Sequence, residues 1–221
     1  MGGRIRMPTD PASLLTLAQW LSPAFPVGGF SYSHGLEWAV DVGDIRDADG
    51  FQHWLRAVLS DGAGRNDAIL LVAGYHAETN TLPEIDALAR ALTPSRERLI
   101  ETSNQGAAFA RTTRAIWPLS VPDLTYPLAV GAAARAMGLP LAEVLVFYLH
   151  GFASNLTSAA IRLIPLGQTD GQAVLAAVAP LCAEIAAQAQ IQTIDDLGAS
   201  TFMADIASMK HETQYSRLFQ S

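Results

Sequence analysis

Apolar residues recur at intervals of three and four positions along most of this 221-residue chain, which is the period of an α-helix. Phe51, Trp54, Leu55 and Val58 show this spacing clearly. Proline, glycine and capping residues divide the periodic stretches and so mark where helices begin and end. The predicted helices cover about residues 11–21, 66–78, 82–92, 95–116, 127–138, 171–190 and 201–210, with two more that begin near Asp49 and at Pro140.

Local residue choices predict how several of these helices begin and which one is central. Asp10 stands directly before a proline, which is typical of an N-cap and the first helical residue. Thr81 and Glu84 have the spacing of a capping box, and Asp170 is expected to cap the helix that follows it. The helix from Pro140 is the most apolar. Because both its sides are mostly small or apolar, we expect it to be buried all round.

No segment shows a convincing alternation of apolar and polar residues, and no hairpin turn joins two such segments. Half of the residues are hydrophobic, so the chain can bury a substantial core. The sequence therefore predicts an all-α fold, an irregular single-domain helical bundle. Its expected parts are a variable N-terminal segment, residues 1–8, an all-helical domain, residues 9–209, and a C-terminal tail, residues 210–221.

The charge and the cysteine content argue against several classes of protein. The formal net charge is −7 and no basic stripe is present, so neither nucleic acid nor a membrane surface is an expected partner. The single cysteine, Cys182, rules out an intramolecular disulfide and is expected to be a buried structural thiol. The apolar stretch from Leu14 to Leu21 is too short to span a membrane, and no other apolar run is expected to reach that length without interruption by proline or a charged residue. We therefore predict a cytoplasmic protein.

The residues needed for common catalytic and metal chemistry are not arranged for it. The only lysine, Lys210, does not follow a glycine-rich turn, which excludes a Walker-type nucleotide site. The five histidines lack the short spacings of a metal cage, so we predict no catalytic residue, cofactor or metal site in one chain. An alternative stays open, in which His34, His53 or His211 meets its copy across a dimer interface and binds a metal ion.

Residues 22–37 form a segment rich in proline, glycine and aromatic residues that helix packing alone does not explain. It is either an ordered loop with its own small core under Phe25 and Phe30, or a rigid surface that presents aromatic side chains to another protein. A hydrolase that uses Ser31 or Ser33 as nucleophile is a remote third hypothesis, because no base is placed for either hydroxyl.

Two further segments differ from their surroundings. Residues 165–172 are expected to form a structural turn between two helices. The C-terminal tail combines apolar and aromatic side chains with charged ones, as protein interfaces do. It is either a last amphipathic turn folded onto its own domain or a tail that folds on binding a partner. The residues concerned are Tyr215, Leu218 and Phe219 together with His211, Glu212 and Arg217.

Three motifs together resemble the UreF family of urease accessory proteins. They are the proline-glycine segment through Glu37, the turn over residues 165–172 (PLGQTDGQ) and the ending over residues 211–219 (HETQYSRLF). Residues 148–166 are also similar to the family's central helix. The resemblance runs from about Leu14 to the C-terminus, with the motifs in order and at the expected separations.

The resemblance implies a non-catalytic accessory protein that forms a homodimer. It would join a second accessory protein, UreD (also called UreH), and the GTPase UreG in a complex that inserts nickel into the urease apoprotein. Residues 210–221 would be a tail that docks on UreD/UreH, while nucleotide and nickel ligands would belong to the partners. The alternative is a helical dimer that carries nickel itself. The implied partner-binding residues are Phe30, Tyr32, Glu37, His211, Glu212, Tyr215, Arg217, Leu218 and Phe219.

Overall fold

A computed structural model describes residues 10–220, and the predicted variable segment, residues 1–8, lies outside them. Ten α-helices and two short 3-10 turns, at Gly29–Ser31 and Ile194–Asp196, form the regular structure of this described part, in which no strand occurs. The all-α prediction is therefore confirmed. The helices are α1 (Pro11–Trp20), α2 (Leu36–Asp41), α3 (Ala48–Asp61), α4 (Ala63–His76), α5 (Leu82–Ala91), α6 (Arg96–Ile116), α7 (Tyr126–Ala136), α8 (Leu141–Leu163), α9 (Gln168–Ala189) and α10 (Phe202–His211).

Side-chain caps begin three of the predicted helices, among them α3, where the Asp47 carboxylate accepts from the Gly50 amide at 2.9 Å. The carboxylate of Asp10 accepts a hydrogen bond from the Ser13 amide at 3.3 Å, which confirms the predicted cap of α1. The hydroxyl of Ser95 accepts one from the Arg98 amide at 3.2 Å and starts α6. Each cap satisfies one of the amide groups that have no partner inside the first turn. A single residue, Gly62, separates α3 from α4.

Two predicted caps are wrong, and one short helix was not predicted at all. The hydroxyl of Thr81 donates to the Glu78 carbonyl oxygen at 2.9 Å, and no side-chain cap forms at α5, so the expected capping box is absent there. Asp170 lies inside α9, which begins at Gln168, and its carboxylate accepts from the Gly167 amide at 3.2 Å. The short helix α2 was not expected, because six residues are too few to show a helical period.

One hydrophobic core connects the helices, and α4 packs against α7 more extensively than any other pair does. Gly74 of α4 allows this close approach, because a Cβ atom there would lie 2.7 Å from the Leu128 carbonyl oxygen of α7. Helix α8 packs on α9, and α10 packs on α2. The core runs from Leu17 in α1 to Phe219 in the tail, which agrees with a single domain. The boundary placed at Lys210 falls inside α10.

Helix α8 is only partly buried, and the expectation that it is buried all round is wrong. Tyr148 and Leu156 lie in the core, whereas His150 and Arg162 are exposed. By length and composition alone, α8 and α9 are both long enough and apolar enough to cross a membrane. Residues 144–161 of α8 contain neither proline nor a charged residue, so the expectation of no uninterrupted run is wrong for α8, whereas Pro180 interrupts α9. Half of the most apolar stretch of α8 is buried against the protein, and core helices of globular proteins meet the same criteria.

Candidate functional site: the anchored C-terminal tail

The C-terminal tail folds back over its own domain and ends beside the proline-glycine segment. The amides of Leu218 and Phe219 donate to the carboxylate of Glu37 at 2.6 and 3.0 Å. The next amide, of Gln220, donates to the carbonyl oxygen of Ser31 at 2.8 Å. The tail and residues 29–37 therefore lie side by side, although most of the chain separates them in sequence.

Two glutamates hold this tail, and we call Glu37 and Glu97 the carboxylate anchor. The imidazole of His211 is fully buried between them, with Nδ1 2.7 Å from Glu97 Oε2 and Nε2 3.0 Å from Glu37 Oε2. The guanidinium of Arg217 donates to Glu97 Oε1 at 2.7 Å. Each of the four carboxylate oxygens thus has a partner in α10 or in the tail.

Local structure places both members of the carboxylate anchor. Glu37 lies in the first turn of α2, which follows Gly35 at φ 79°. At Gly35 a Cβ atom would lie 2.5 Å from the Ser208 amide nitrogen, so glycine supplies both the left-handed conformation and the space for α10. Glu97 lies in the first turn of α6, where the helix dipole favours a negative charge. The tail's Glu212 accepts from the first amide of α6 at 2.8 Å.

The end of the tail is packed as well as hydrogen-bonded. The Phe219 side chain is 4% exposed and belongs to the hydrophobic core. The guanidinium carbon of Arg162, on α8, lies 4.6 Å from the centre of its ring, which is the geometry of a cation–π contact. Phe219 therefore joins the tail to α8, while the carboxylate anchor joins it to α2 and α6.

The nine residues implied as partner-binding divide into an exposed and a buried group. Phe30, Tyr215 and Leu218 are 64%, 104% and 68% exposed. Of the buried group, Glu37, His211 and Phe219 hold the tail in place, so these three side chains reach a partner only if the tail moves. The exposed group is Phe30, Tyr215, Arg217 and Leu218; Tyr32, Glu37, His211 and Phe219 are buried, and Glu212 is half-buried.

The proline-glycine segment combines the two alternatives that its sequence left open. Phe25 is buried and packs on Phe109 with ring centres 5.6 Å apart, so the segment does carry a small core. Phe30, which only one of the two alternatives placed in that core, points outward on the 3-10 turn Gly29–Ser31. The segment is thus an ordered loop that also exposes an aromatic side chain.

A second polar cluster lies inside the domain, where α4, α6 and α8 meet. His34 Nε2 is 2.9 Å from Glu101 Oε1 and 2.8 Å from the guanidinium of Arg98, which also pairs with Glu101. The hydroxyl of Tyr148 donates to Asp67 at 2.9 Å. These side chains line a cavity to whose lining Phe30 also contributes.

Burial and charge change the acidity of this interior cluster in opposite directions. Burial raises the pKa of Asp67 to about 6, although Arg98 and the Tyr148 hydroxyl favour its charged form. Burial alone would also raise the pKa of Glu101, but Arg98 and His34 lower it to about 2. For His34, burial and the neighbouring Arg98 charge lower the pKa, against the effect of Glu101. Glu101 is therefore ionised near neutral pH, where Asp67 is close to its titration point.

Sequence reasoning missed four residues that make many of the buried polar contacts described above. They are Glu97, Arg98, Glu101 and Asp67. A signal was present in α6, where Glu97, Glu101 and Gln105 recur at intervals of four residues and so share one face. All three are buried. A polar face that repeats with the helical period on a long helix is a reason to look for buried partners elsewhere in the chain.

Among residues 10–220, no group of three or more histidine, cysteine, aspartate or glutamate side chains is placed to hold a metal ion. Both ring nitrogens of His211 face carboxylates, and Nε2 of His34 faces Glu101 and Arg98. His53 Nδ1 lies 3.1 Å from a carbonyl oxygen of its own helix. Cys182 is buried as predicted, and burial raises the pKa of its thiol to about 11.

These features describe an all-helical protein whose C-terminal tail is anchored to its own domain and carries exposed apolar side chains. A family model described as UreF matches residues 45–179. Proteins named urease accessory protein UreF from Roseobacter denitrificans and Cereibacter sphaeroides are each 54% identical to this chain. The alignments span 218 and 211 residues, which are 99% and 95% of this chain and 97% and 99% of the relatives. The chain belongs to the UreF family of urease accessory proteins.

A third relative extends the comparison. The urease accessory protein UreF of Bradyrhizobium diazoefficiens is 50% identical over 225 residues, covering 96% of this chain and 93% of its own. The family model lies between the proline-glycine segment and the tail, whereas the long alignments cover nearly the whole chain. The resemblance drawn from the three sequence motifs is confirmed.

Proposed function

We propose that this chain is a non-catalytic, cytoplasmic chaperone of urease maturation. As a homodimer it would bind UreD/UreH and the GTPase UreG, in a complex that inserts nickel into the urease apoprotein. Membership of the UreF family supports the accessory role. In this proposal UreG supplies nucleotide hydrolysis, the partners supply the nickel ligands, and this chain supplies binding surfaces.

The observation that carries the proposal is the exposed side of the anchored tail. Tyr215 is 104% exposed and Leu218 is 68% exposed, and Phe30 beside them is 64% exposed. Aromatic side chains are enriched among the residues that dominate protein interfaces. The backbone behind them is fixed by the carboxylate anchor, so a partner that binds here would lose little entropy in ordering the tail. We propose this exposed group as the docking site for UreD/UreH.

The test uses substitutions that remove exposed side chains and leave the buried ones intact. The double variant Tyr215→Ala, Leu218→Ser is expected to fold normally, because exposed positions change stability by only about 0.5 kcal/mol. Its matched control is Ile191→Ser, which removes an apolar side chain that is 86% exposed after α9. Each protein would be co-expressed with UreD/UreH and UreG, and the complexes would be sized by light scattering after gel filtration.

The expected result is a ternary complex with the wild type and the control, and a weakening of at least about 30-fold with the double variant. Deleting the whole tail is a less informative change, because it also removes buried His211 and Phe219 and leaves the carboxylate anchor without partners. A double variant that binds UreD/UreH as tightly as the wild type would contradict docking through the tail.

A further inference from the structure

The contacts of His211 require more protons than a neutral histidine carries. An ionised carboxylate only accepts hydrogen bonds, and a neutral imidazole has one donor and one acceptor nitrogen. Here both ring nitrogens lie within hydrogen-bonding distance of carboxylate oxygens, Nδ1 at 2.7 Å from Glu97 and Nε2 at 3.0 Å from Glu37. With two ionised carboxylates, both contacts are favourable only if the imidazole is protonated on both nitrogens.

The charges around the ring lead to the same conclusion. Glu37 and Glu97 contribute two negative charges, and Arg217 contributes one positive charge at 2.7 Å from Glu97. A protonated His211 makes this group of four side chains neutral, whereas a neutral His211 leaves one excess negative charge on the two glutamates that enclose the fully buried imidazole. An uncompensated charge in such a place is costly.

We propose that His211 and the carboxylate anchor form a proton-dependent latch, which holds the C-terminal tail while the imidazole is protonated and releases it when the proton passes to solvent. The latch acts on Leu218 and Phe219, because the oxygen of Glu37 that faces His211 also accepts from the Phe219 amide, at 3.0 Å. Its relevance to partner docking rests on the proposed function, but the latch itself follows from the contacts of this chain.

The other charged groups near the tail do not replace the imidazolium. From α8, Arg162 lies over the Phe219 ring, and from the tail, Glu212 accepts from the first amide of α6. Arg98 of α6 pairs with Glu101 in the interior cluster, and Asp205 of α10 lines a small cavity together with His34 and Arg98. Lys210, next to His211, is exposed. The groups that contact His211 directly are Glu37 from α2 and Glu97 from α6.

The direction of the pH effect follows from proton binding. A histidine in a released, solvated tail gives up its proton near about pH 6.5. Above that pH, opening of the tail frees one proton, so the opening constant rises by up to about tenfold per pH unit while the docked imidazole stays protonated. Below it, both states hold the proton and the opening constant does not change with pH.

Hydrogen exchange of the full-length chain, followed by mass spectrometry, measures this opening directly. Exchange would be recorded from about pH 5.5 to about pH 8.5 for peptides that cover Leu218 to Gln220, with rates corrected for the intrinsic pH dependence of exchange. Peptides from α8 report whether the domain remains folded. The variant His211→Gln removes the titrating group, and His150→Gln, which alters an exposed histidine of α8, is the matched control.

The latch predicts a constant opening below about pH 6.5 and a rise of up to about tenfold per unit above it, in the wild type and in His150→Gln. His211→Gln is expected to lose this dependence. A second variant, Glu97→Gln, keeps the histidine and weakens the dependence, because the new amide can donate to a neutral imidazole. Opening that does not vary with pH in the wild type would overturn the latch, and so would an unchanged dependence in a folded His211→Gln protein.

Failure of the latch and failure of the proposed function give different results. If opening depends on pH as expected but Tyr215→Ala, Leu218→Ser still binds UreD/UreH, the latch stands and docking through the tail does not. If opening is independent of pH but the double variant loses binding, docking stands and the latch is refuted.

Discussion

Replacing Glu37 by glutamine would keep the length of the side chain but remove the charge that holds the tail. In the wild type its carboxylate accepts from the Leu218 and Phe219 amides at 2.6 and 3.0 Å and faces the His211 ring at 3.0 Å. Glutamine has only one acceptor oxygen. Its side-chain NH2 group, which donates hydrogen bonds, would face a backbone amide or the His211 ring where the second carboxylate oxygen now accepts. The substitution therefore weakens at least one hydrogen bond and the ion pair.

The size of the effect can be worked out from these contacts. A hydrogen bond to a charged group contributes about 1.5–3 kcal/mol, and Glu37 is only 6% exposed, so water cannot easily replace its partners. We expect the tail to lose about 3 kcal/mol of local stability, which corresponds to an opening constant about 140-fold larger. The global free energy of unfolding should change less, because Phe219 still packs in the core.

Hydrogen exchange at the Leu218 and Phe219 amides tests this expectation. The control Glu84→Gln changes an exposed glutamate on α5 and should leave exchange in the tail unaltered. Protection of the α8 amides should be equal in the wild type and both variants. Tail amides that exchange as slowly in Glu37→Gln as in the wild type would show that the carboxylate does not hold the tail, and would refute the reasoning about the carboxylate anchor.

Three further predictions concern stability. Asp67→Asn should stabilise the protein by about 1–3 kcal/mol near neutral pH, because burial raises the pKa of Asp67 from 3.8 to about 6. The native wild type therefore loses stability as pH rises through that range. Chemical denaturation at several pH values should show this loss of unfolding free energy in the wild type and not in Asp67→Asn. Glu101→Gln should cost about 3–5 kcal/mol in denaturant unfolding, because it leaves Arg98 buried without its carboxylate. Since the pKa of Glu101 is lowered from 4.5 to about 2, its contribution is present above about pH 4.5 and lost as pH falls toward 2. Phe219→Ala should speed limited proteolysis of the tail while Tyr215→Ala does not, because only Phe219 is buried; equal rates would contradict its anchoring role.

The sequence by itself determined the fold class and most of the helices. Repeats such as Phe51, Trp54, Leu55 and Val58 record a local period, and caps such as Asp10 act within a few residues, so both are visible without the fold. Short elements and turns were less predictable. Helix α2 has only six residues, and the Thr81 hydroxyl had a nearby carbonyl oxygen as an alternative partner.

The sequence motifs also identified the family, and they led to the prediction that the loop and the tail bind partners. They did not show which side chains hold the tail and which remain exposed. Tyr215 and Phe219 are both aromatic residues of the same motif, yet one is 104% exposed and the other 4% exposed. No local pattern distinguishes them, because their exposure depends on α8 and the carboxylate anchor.

Only the tertiary structure brought together the groups that give the tail its chemistry. His211 and Glu37 are 174 positions apart in the chain, and His211 and Glu97 are 114 apart. Helical periodicity describes which residues share a face within one element, and it contains no information about contacts across such separations. The packing of α10 on α2 and α6 decides that two carboxylates enclose one imidazole. Because that imidazole is buried, the number of protons it carries affects whether the tail stays docked.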